Sequence, residues 1–260
     1  MLAHRVAIST HRGEAEDAPL ASWETYLASV ESSVEYIELD VRRTACGTLV
    51  AHHDPALDEV AGHPLVADLT YPELCRLAGY QVPTVPDLLE LIAGRARAHL
   101  DVKEIGYERE LVTLAHDILG PDGYVVSTLE EETVQAVKDE FPKVPVALSL
   151  GRDLAGLSLP HRTKIRLSEL RPLRRIRRCG ADWVSMHYLL ALAGVLRLCA
   201  RHGYPVMVWT VNHDHLIDRF LLDERVTVLV TDRPRYAATR REIRTPIHDP
   251  RDEDGIGQKP

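Results

Sequence analysis

Aromatic side chains are scarce in this 260-residue chain, at 5% with two phenylalanines, so its core has to be built from Leu, Val, Ile and Ala. Cysteine is sparse too. Cys46, Cys75, Cys179 and Cys199 lie far apart and form no CxxC pair, which reads as reduced thiols and not as a disulfide framework. There is no bilayer-length apolar run: the longest, from Leu189 to Ala200, is too short and contains Arg197. The start, Met1-Leu2-Ala3-His4-Arg5, carries no signal-peptide h-region. Nor is there a surplus of positive charge. With 31 basic and 39 acidic residues the chain has a net charge of −8 and a pI near 5.9, which argues against a general nucleic-acid binder. The expectation is a soluble, cytoplasmic protein with no transmembrane segment and no nucleic-acid partner.

Hydrophobic residues at 45% and charged residues at 27% have the balance of an ordinary globule. Eight short runs rich in Val and Ile recur between helical patterns: Arg5–Thr10, Tyr36–Val41, Ala98–Lys103, Tyr124–Thr128, Val144–Ser149, Asp182–Met186, Tyr204–Val211 and Val226–Thr231. Continuously apolar strands that alternate with helices imply a parallel sheet covered on both faces, and eight is the number that closes a (β/α)8 barrel. An open doubly wound sheet is the alternative, but no GxGxxG follows any of these strands. The predicted fold is therefore α/β, a single-domain (β/α)8 TIM barrel over residues 1–236. Residues 237–260, polar and punctuated by Pro and Gly, read as a flexible tail. Helices are expected over Leu20–Ser32, Tyr71–Leu77, Val85–Ala93, Glu108–Leu119, Glu131–Glu140, Leu189–Arg201 and His213–Leu222. In the first of these, Leu20, Trp23, Leu27 and Val30 recur at spacings of three and four.

One further strand, Leu49–His53, follows the second run too soon for a parallel crossover, so it must return as a β-hairpin through Cys46-Gly47. A turn centred between those residues sets Asp40 opposite His53, give or take one residue. His53 is then carried back beside Glu38 and Asp40. In a barrel the C-terminal strand ends form the active face. There stand Thr10-His11-Arg12-Gly13, Glu38-Leu39-Asp40-Val41, His52-His53-Asp54-Pro55 and His99-Leu100-Asp101-Val102-Lys103. Period two puts Glu38 and Asp40 on one side of their strand, and Asp101 and Lys103 on one side of theirs. Three converging carboxylates cannot all stay ionised without a compensating cation, and oxygen-only ligands favour one hard divalent ion, Mg2+ or Ca2+. Two histidines beside such a site, framed by Arg12 and Lys103, suit a reaction on a phosphate ester, the small-molecule partner expected here.

Each of these residues has a plainer reading when taken alone. His11 is one of 13 histidines, and an acidic pair in a strand is often a solvated face. The Arg171–Arg178 run is either an exposed helix face or a patch for an anionic ligand or membrane surface. Trp209 packs in the core or faces the opposite side from Val206 and Val208, and His187-Tyr188 stays open.

In order, these segments resemble the glycerophosphodiester phosphodiesterase family of (β/α)8 enzymes. The matching pieces are His11-Arg12-Gly13, Glu38-Leu39-Asp40-Val41, the Gly47 turn, His53-Asp54-Pro55 with Leu57-Asp58, Leu69-Thr70, Val82-Pro83-Thr84, Asp101-Val102-Lys103, Ser127, Trp209-Thr210-Val211-Asn212 and Thr231-Asp232-Arg233-Pro234. The resemblance implies a metal-dependent phosphoric diester hydrolase that cleaves a glycerophosphodiester to an alcohol and glycerol phosphate. It further implies His11 and His53 as the general acid/base pair, and Glu38 and Asp40 as metal ligands. Asp101 stands where the family usually has a glutamate ligand. Arg12 and Lys103 match phosphate-contacting positions, and Trp209 an aromatic near the glycerol. There are two departures: Asp101 itself, and Pro19-Leu20-Ala21-Ser22 where the family usually has Pro-Glu-Asn-Thr. The alternatives are a lyase that forms a cyclic phosphate from a phospholipid-like diester, and a non-catalytic barrel that binds phosphate-bearing ligands.

Overall fold

A computed structural model describes residues 5–13, 21–57 and 60–244. Its strands are β1 (Ala7–Thr10), β2 (Tyr36–Arg43), β3 (Leu49–Ala51), β4 (Arg97–Val102), β5 (Tyr124–Thr128), β6 (Val146–Leu150), β7 (Trp183–His187), β8 (Val206–Trp209) and β9 (Val228–Thr231). All but β3 pair in parallel with two neighbours, and β1 bonds both β9 and β2, so the eight close into a ring. The protein is a (β/α)8 barrel. Every ring strand lies within two residues of the run that predicted it. Strands buried on both faces carry an apolar signal at nearly every position, which makes them legible.

The alternation along each strand divides two packing layers. Ile37, Leu39 and Val41 of β2, Leu100 and Val102 of β4, Leu148 of β6, and Val206 and Val208 of β8 point outward into the main core. Tyr36, Val125, Ala147, Met207, Val228 and Val230 point inward and plug the barrel floor, with Trp183 and Trp209 packed against them. Above that plug the next inward positions on β5, β6 and β7 are Ser127, Ser149 and Ser185, whose small side chains leave room at the C-terminal mouth.

The helices are α1 (Trp23–Glu31), α2 (Tyr71–Ala78), α3 (Val85–Ile92), α4 (Glu108–Leu119), α5 (Glu131–Glu140), α6 (Leu159–Leu170), α7 (Leu173–Cys179), α8 (Tyr188–Leu192), α9 (Val195–Arg201), α10 (Asp214–Leu221) and α11 (Pro234–Arg244). Five of them depart from the sequence reading. In α1, Ser22 caps the N-terminus by accepting from the Thr25 amide at 3.4 Å, and the buried side is Thr25, Tyr26 and Ser29. Trp23 and Leu27 of the expected apolar stripe are exposed, and Leu20 lies outside the described residues. The helix expected over Leu189–Arg201 is two helices, because Gly194 between them turns left-handed at φ +100°. Helix α6 has no counterpart in the sequence reading. Residues 237–244, read there as the start of a tail, complete α11, with Ala237 and Arg241 buried. Residues 245–260 lie outside the described residues.

Strand β3 pairs antiparallel with β2, Val41 opposite Ala51 and Arg43 opposite Leu49. The pairing is one residue tighter than a turn centred between Cys46 and Gly47 would make it, because the Thr48 carbonyl closes the turn on the Thr44 amide at 3.0 Å. The His52 amide therefore donates to the Asp40 carbonyl at 2.9 Å, and His53 is the next residue out. A satellite core of Val50, Leu57, Val66, Leu74 and Val82 packs beneath this excursion and fixes the segment that bears His53.

Candidate active site

Parallel register brings the carboxylates together. Glu38 pairs with His99 and Asp40 with Asp101 across β2 and β4, so the two aspartates are direct neighbours. Glu38, Asp40 and Asp101 offer oxygens that all lie within 4.8 Å of one another. Glu38 and Asp40 are buried. The two basic groups that framed the sequence motif lie on Asp40: Lys103 Nζ is 2.6 Å from Oδ1 and Arg12 Nε is 3.0 Å from Oδ2. Lys103 also donates to Asp101. Burial opposes the Asp40 charge, but Lys103 and Arg12 outweigh it and hold this carboxyl well below the usual carboxylate range. Burial and the adjacent Asp40 push Glu38 the other way, well above its ordinary value. The Arg12 amide donates to Glu38 Oε2 at 2.8 Å, which ties the end of β1 to β2.

Asp101 is set by a relay. Ser127 on β5 donates its hydroxyl proton to Asp101 Oδ1 at 2.6 Å, so His99 Nε2, 2.9 Å from the same Oγ, must carry the proton it donates. Burial drives the His99 pKa down to about 4, which keeps this imidazole neutral and leaves it a structural donor.

The two histidines share one arrangement. His11 Nδ1 lies 2.7 Å from Asp232 Oδ1, and His53 Nδ1 lies 2.7 Å from Asp54 Oδ1. Burial opposes ionisation of both carboxyls, but the hydrogen bond from the histidine prevails and holds each below its ordinary value. An ionised carboxylate only accepts, so Nδ1 is the donor in both pairs and Nε2 points away from the carboxylate, in His11 toward the Thr210 hydroxyl at 3.5 Å. Asp232 is in turn fixed by Asn212, whose side-chain amide donates to its Oδ2 and whose Oδ1 accepts from the Asp232 amide at 3.0 Å. His53 is anchored through its carbonyl, which accepts from Arg42 Nη2 at 2.7 Å and Nε at 3.0 Å.

A closed barrel with these groups at its mouth invites comparison with known proteins. The model of the glycerophosphoryl diester phosphodiesterase family matches residues 11–236. The chain belongs to that family. Its members are phosphoric diester hydrolases, and this chain is one. A glycerophosphodiester phosphodiesterase of Caldanaerobacter subterraneus subsp. tengcongensis is 22% identical over 249 residues, covering 88% of this chain and 95% of that protein. The solved structure of a glycerophosphodiester phosphodiesterase from Parabacteroides distasonis superposes with a TM-score of 0.72 at 19% identity, covering 93% of this chain and 98% of that one. A phosphodiesterase from Oleispira antarctica, solved in complex with the product sn-glycerol-3-phosphate, superposes at 0.71 with 17% identity, covering 91% and 96%.

In this member of the family the mouth opens into one cavity of about 950 Å³. Of the eight residues singled out in the sequence, His11, Arg12, Glu38, His53, Asp101, Lys103 and Trp209 line it. Asp40 lies fully buried just beneath. Trp209 faces inward, opposite Val206 and Val208, with its ring edge-on to His187 at 5.3 Å. His187 itself, left open by the sequence, also lines the cavity. Sequence reasoning did not single out Arg42, Arg152 or Arg166, which line it too. Arg42 and Arg152 stand at or just beyond a strand end, whereas Arg166 sits within α6 and carries no such signal. Glu169, buried on α6, orients the last two by accepting from the Gly151 and Arg152 amides at 2.7 and 3.0 Å and pairing with Arg166 at 2.6 Å.

Gly13 completes the first motif for a steric reason. Its φ is +81°, and a Cβ there would lie 2.5 Å from Thr25 Oγ1 and 2.8 Å from the Thr25 backbone carbon. Gly13→Ala should destabilise the fold by roughly 1–3 kcal/mol. Because the residue follows Arg12, it should also displace the guanidinium from Asp40. The check is thermal melting beside turnover: an unchanged Tm would show that α1 yields freely and that the glycine is not required.

Proposed function

We propose that the protein hydrolyses a glycerophosphodiester to an alcohol and glycerol phosphate, with one divalent cation, Mg2+ or Ca2+, held by Glu38, Asp40 and Asp101. His11 and His53 move the protons. The observation that carries this reading is the pair of histidine–carboxylate dyads on the same cavity as the acidic cluster. The product bound by the Oleispira antarctica relative is consistent with it.

The residues fit a hard cation. All three donors are oxygens, and the charge of the fully buried Asp40 is compensated by the Lys103 and Arg12 ion pairs. Charge counting agrees. With Glu38, Asp40 and Asp101 all ionised as ligands, their three charges against Arg12 and Lys103 leave one negative charge, and a divalent ion together with a phosphodiester monoanion makes the complete ensemble neutral. Once bound, such an ion supplies charge stabilisation to a phosphoryl oxygen.

The chain's own residues do the rest. One imidazole takes the proton of the attacking oxygen on Nε2 as the new P–O bond forms. The other gives its Nε2 proton to the alcohol oxygen as the old P–O bond breaks. Asp232 and Asp54 hold each ring by its Nδ1 proton, which leaves Nε2 bare on the neutral imidazole that acts as base and stabilises the imidazolium that acts as acid. Arg12 and Lys103 offer cationic contacts to the phosphate, and Trp209 offers an apolar wall to the glycerol.

Phosphorus NMR of a panel of glycerophosphodiesters tests the proposal. Glycerol phosphate should accumulate, stop on addition of EDTA and resume with excess Mg2+ or Ca2+. A cyclic phosphate as the end product would make the enzyme a lyase, and turnover indifferent to EDTA would remove the metal. Binding of phosphate ligands with no turnover of any diester would favour the non-catalytic barrel.

A further inference from the structure

Helix α6 is inverted relative to an ordinary surface helix, which turns its apolar stripe to the core. At 100° per residue, Leu159, Thr163, Leu167 and Leu170 share one stripe, while Ile165, Ser168 and Glu169 lie on the opposite side. The packed side is the second one: Glu169 is buried, and Ile165 and Ser168 are half-buried. The leucine stripe faces solvent, with Leu159 76% and Leu167 61% exposed. Lys164 borders the stripe on one edge, and Arg162 and Arg166 on the other.

Charge is concentrated at the same place. Between Ser158 and Arg178 there are eight Lys and Arg residues against one acidic residue, Glu169, in a chain that is otherwise strongly acidic. Glu169 pairs with Arg166, and Glu131 takes Arg175 and Arg178. Arg162, Lys164, Arg171, Arg174 and Arg177 have no carboxylate partner among the described residues. The segment adjoins the active-site mouth, since Arg166 lines the cavity together with Leu189, which is itself exposed at the start of α8.

We propose that α6 and the chain running from it into α7 dock this protein on an anionic lipid surface, with the leucine stripe in the interfacial layer and the flanking cations on lipid phosphates. A solvent-facing leucine stripe between basic edges is the pattern of a helix that lies in the plane of an interface. A second copy of the chain would bring the same positive cluster against this one. A nucleic acid or acidic peptide would satisfy the cations and leave the leucines in water. Among the described residues no helix is long and apolar enough to cross a membrane, and the docking proposed here lies in the plane of the interface. The proposal does not depend on which diester is cleaved.

Co-sedimentation of the full chain with vesicles of phosphatidylcholine alone, or mixed with phosphatidylglycerol, tests it. The protein should pellet with the mixed vesicles at low salt and be released at high salt. Each neutralised cation near the surface should weaken partitioning about fivefold, so Lys164→Gln, Arg171→Gln and Arg174→Gln together should cost about a hundredfold. Leu159→Ser with Leu167→Ser should weaken it at least about tenfold without changing the charge. None of these side chains lines the cavity, so both variants should keep the wild-type Tm and turnover of a soluble diester, which separates lost docking from misfolding. Failure of the wild type to pellet with mixed vesicles overturns the proposal, as does equal binding to neutral ones. Full binding by the leucine variant, with comparable affinity for single-stranded RNA, would make the patch a polyanion site. Self-association abolished by the leucine changes would make it a contact between copies.

Discussion

His11→Ala and His53→Ala should each lower kcat by about 10²–10⁴-fold, the usual worth of general acid–base catalysis, with much smaller changes in KM. Both rings are held at Nδ1 by an ionised aspartate, so alanine removes a proton carrier and leaves the carboxylate cluster in place. On the proposed mechanism the two serve the same transition state, so the double variant should lose far less than the product of the single losses. Asp232→Asn sharpens the assignment. Asn212 already donates to Asp232 Oδ2, so an asparagine here would turn its carbonyl to Asn212 and its amide to His11. That amide donates where the carboxylate accepted, which forces the proton onto His11 Nε2 and removes the basic lone pair. Asp232→Asn should therefore depress kcat strongly and alter the pH profile, while the protein folds normally. Steady-state kinetics over a range of pH decide it, and near wild-type rates in either alanine variant would exclude that histidine from proton transfer.

The barrel was legible because its strands are hydrophobic on both faces, and β2 and β4 announced their chemistry because buried carboxylates interrupt such runs. Neighbouring parallel strands then placed Asp40 beside Asp101 with no further information. The partners that tune the histidines were harder to read. His11 and Asp232 are 221 residues apart, joined only because closure of the ring sets the end of β1 beside the end of β9. Asp54 sits next to His53, yet a short motif does not say whether its carboxylate turns to the ring or to solvent. Periodicity failed where burial and hydrophobicity part company. Trp23 and Leu27 of α1 keep helical spacing but face outward, while Thr25, Tyr26 and Ser29 take the packed side. In α6 the basic residues dilute the pattern and the leucines serve no core, so a reading that equates apolar spacing with burial has nothing to register.

Asp40→Asn should abolish most of the cation affinity and leave the fold standing. Substitution of a group that merely orients a ligand typically costs 10–100-fold in metal affinity, so loss of a ligand's charge should cost more than about 100-fold. The folding argument runs the other way. Removing one partner of a buried ion pair is severe when the other charge is stranded, but here neither cation is. Lys103 keeps Asp101, and the Arg12 side chain is 21% exposed at the mouth although its Nε is buried, so its delocalised charge keeps contact with solvent. The direct readout is titration calorimetry with Mg2+ and Ca2+. A second readout needs no catalysis: a ligand that binds only the native state at about 100 times its Kd adds roughly 2.7 kcal/mol of stability, so wild-type Tm should climb by several degrees as the cation is added. Asp40→Asn should begin near the wild-type Tm without cation and fail to climb. Collapse of the variant without cation would make Asp40 a structural counter-ion for Arg12 and Lys103, and an undiminished rise would place the cation elsewhere.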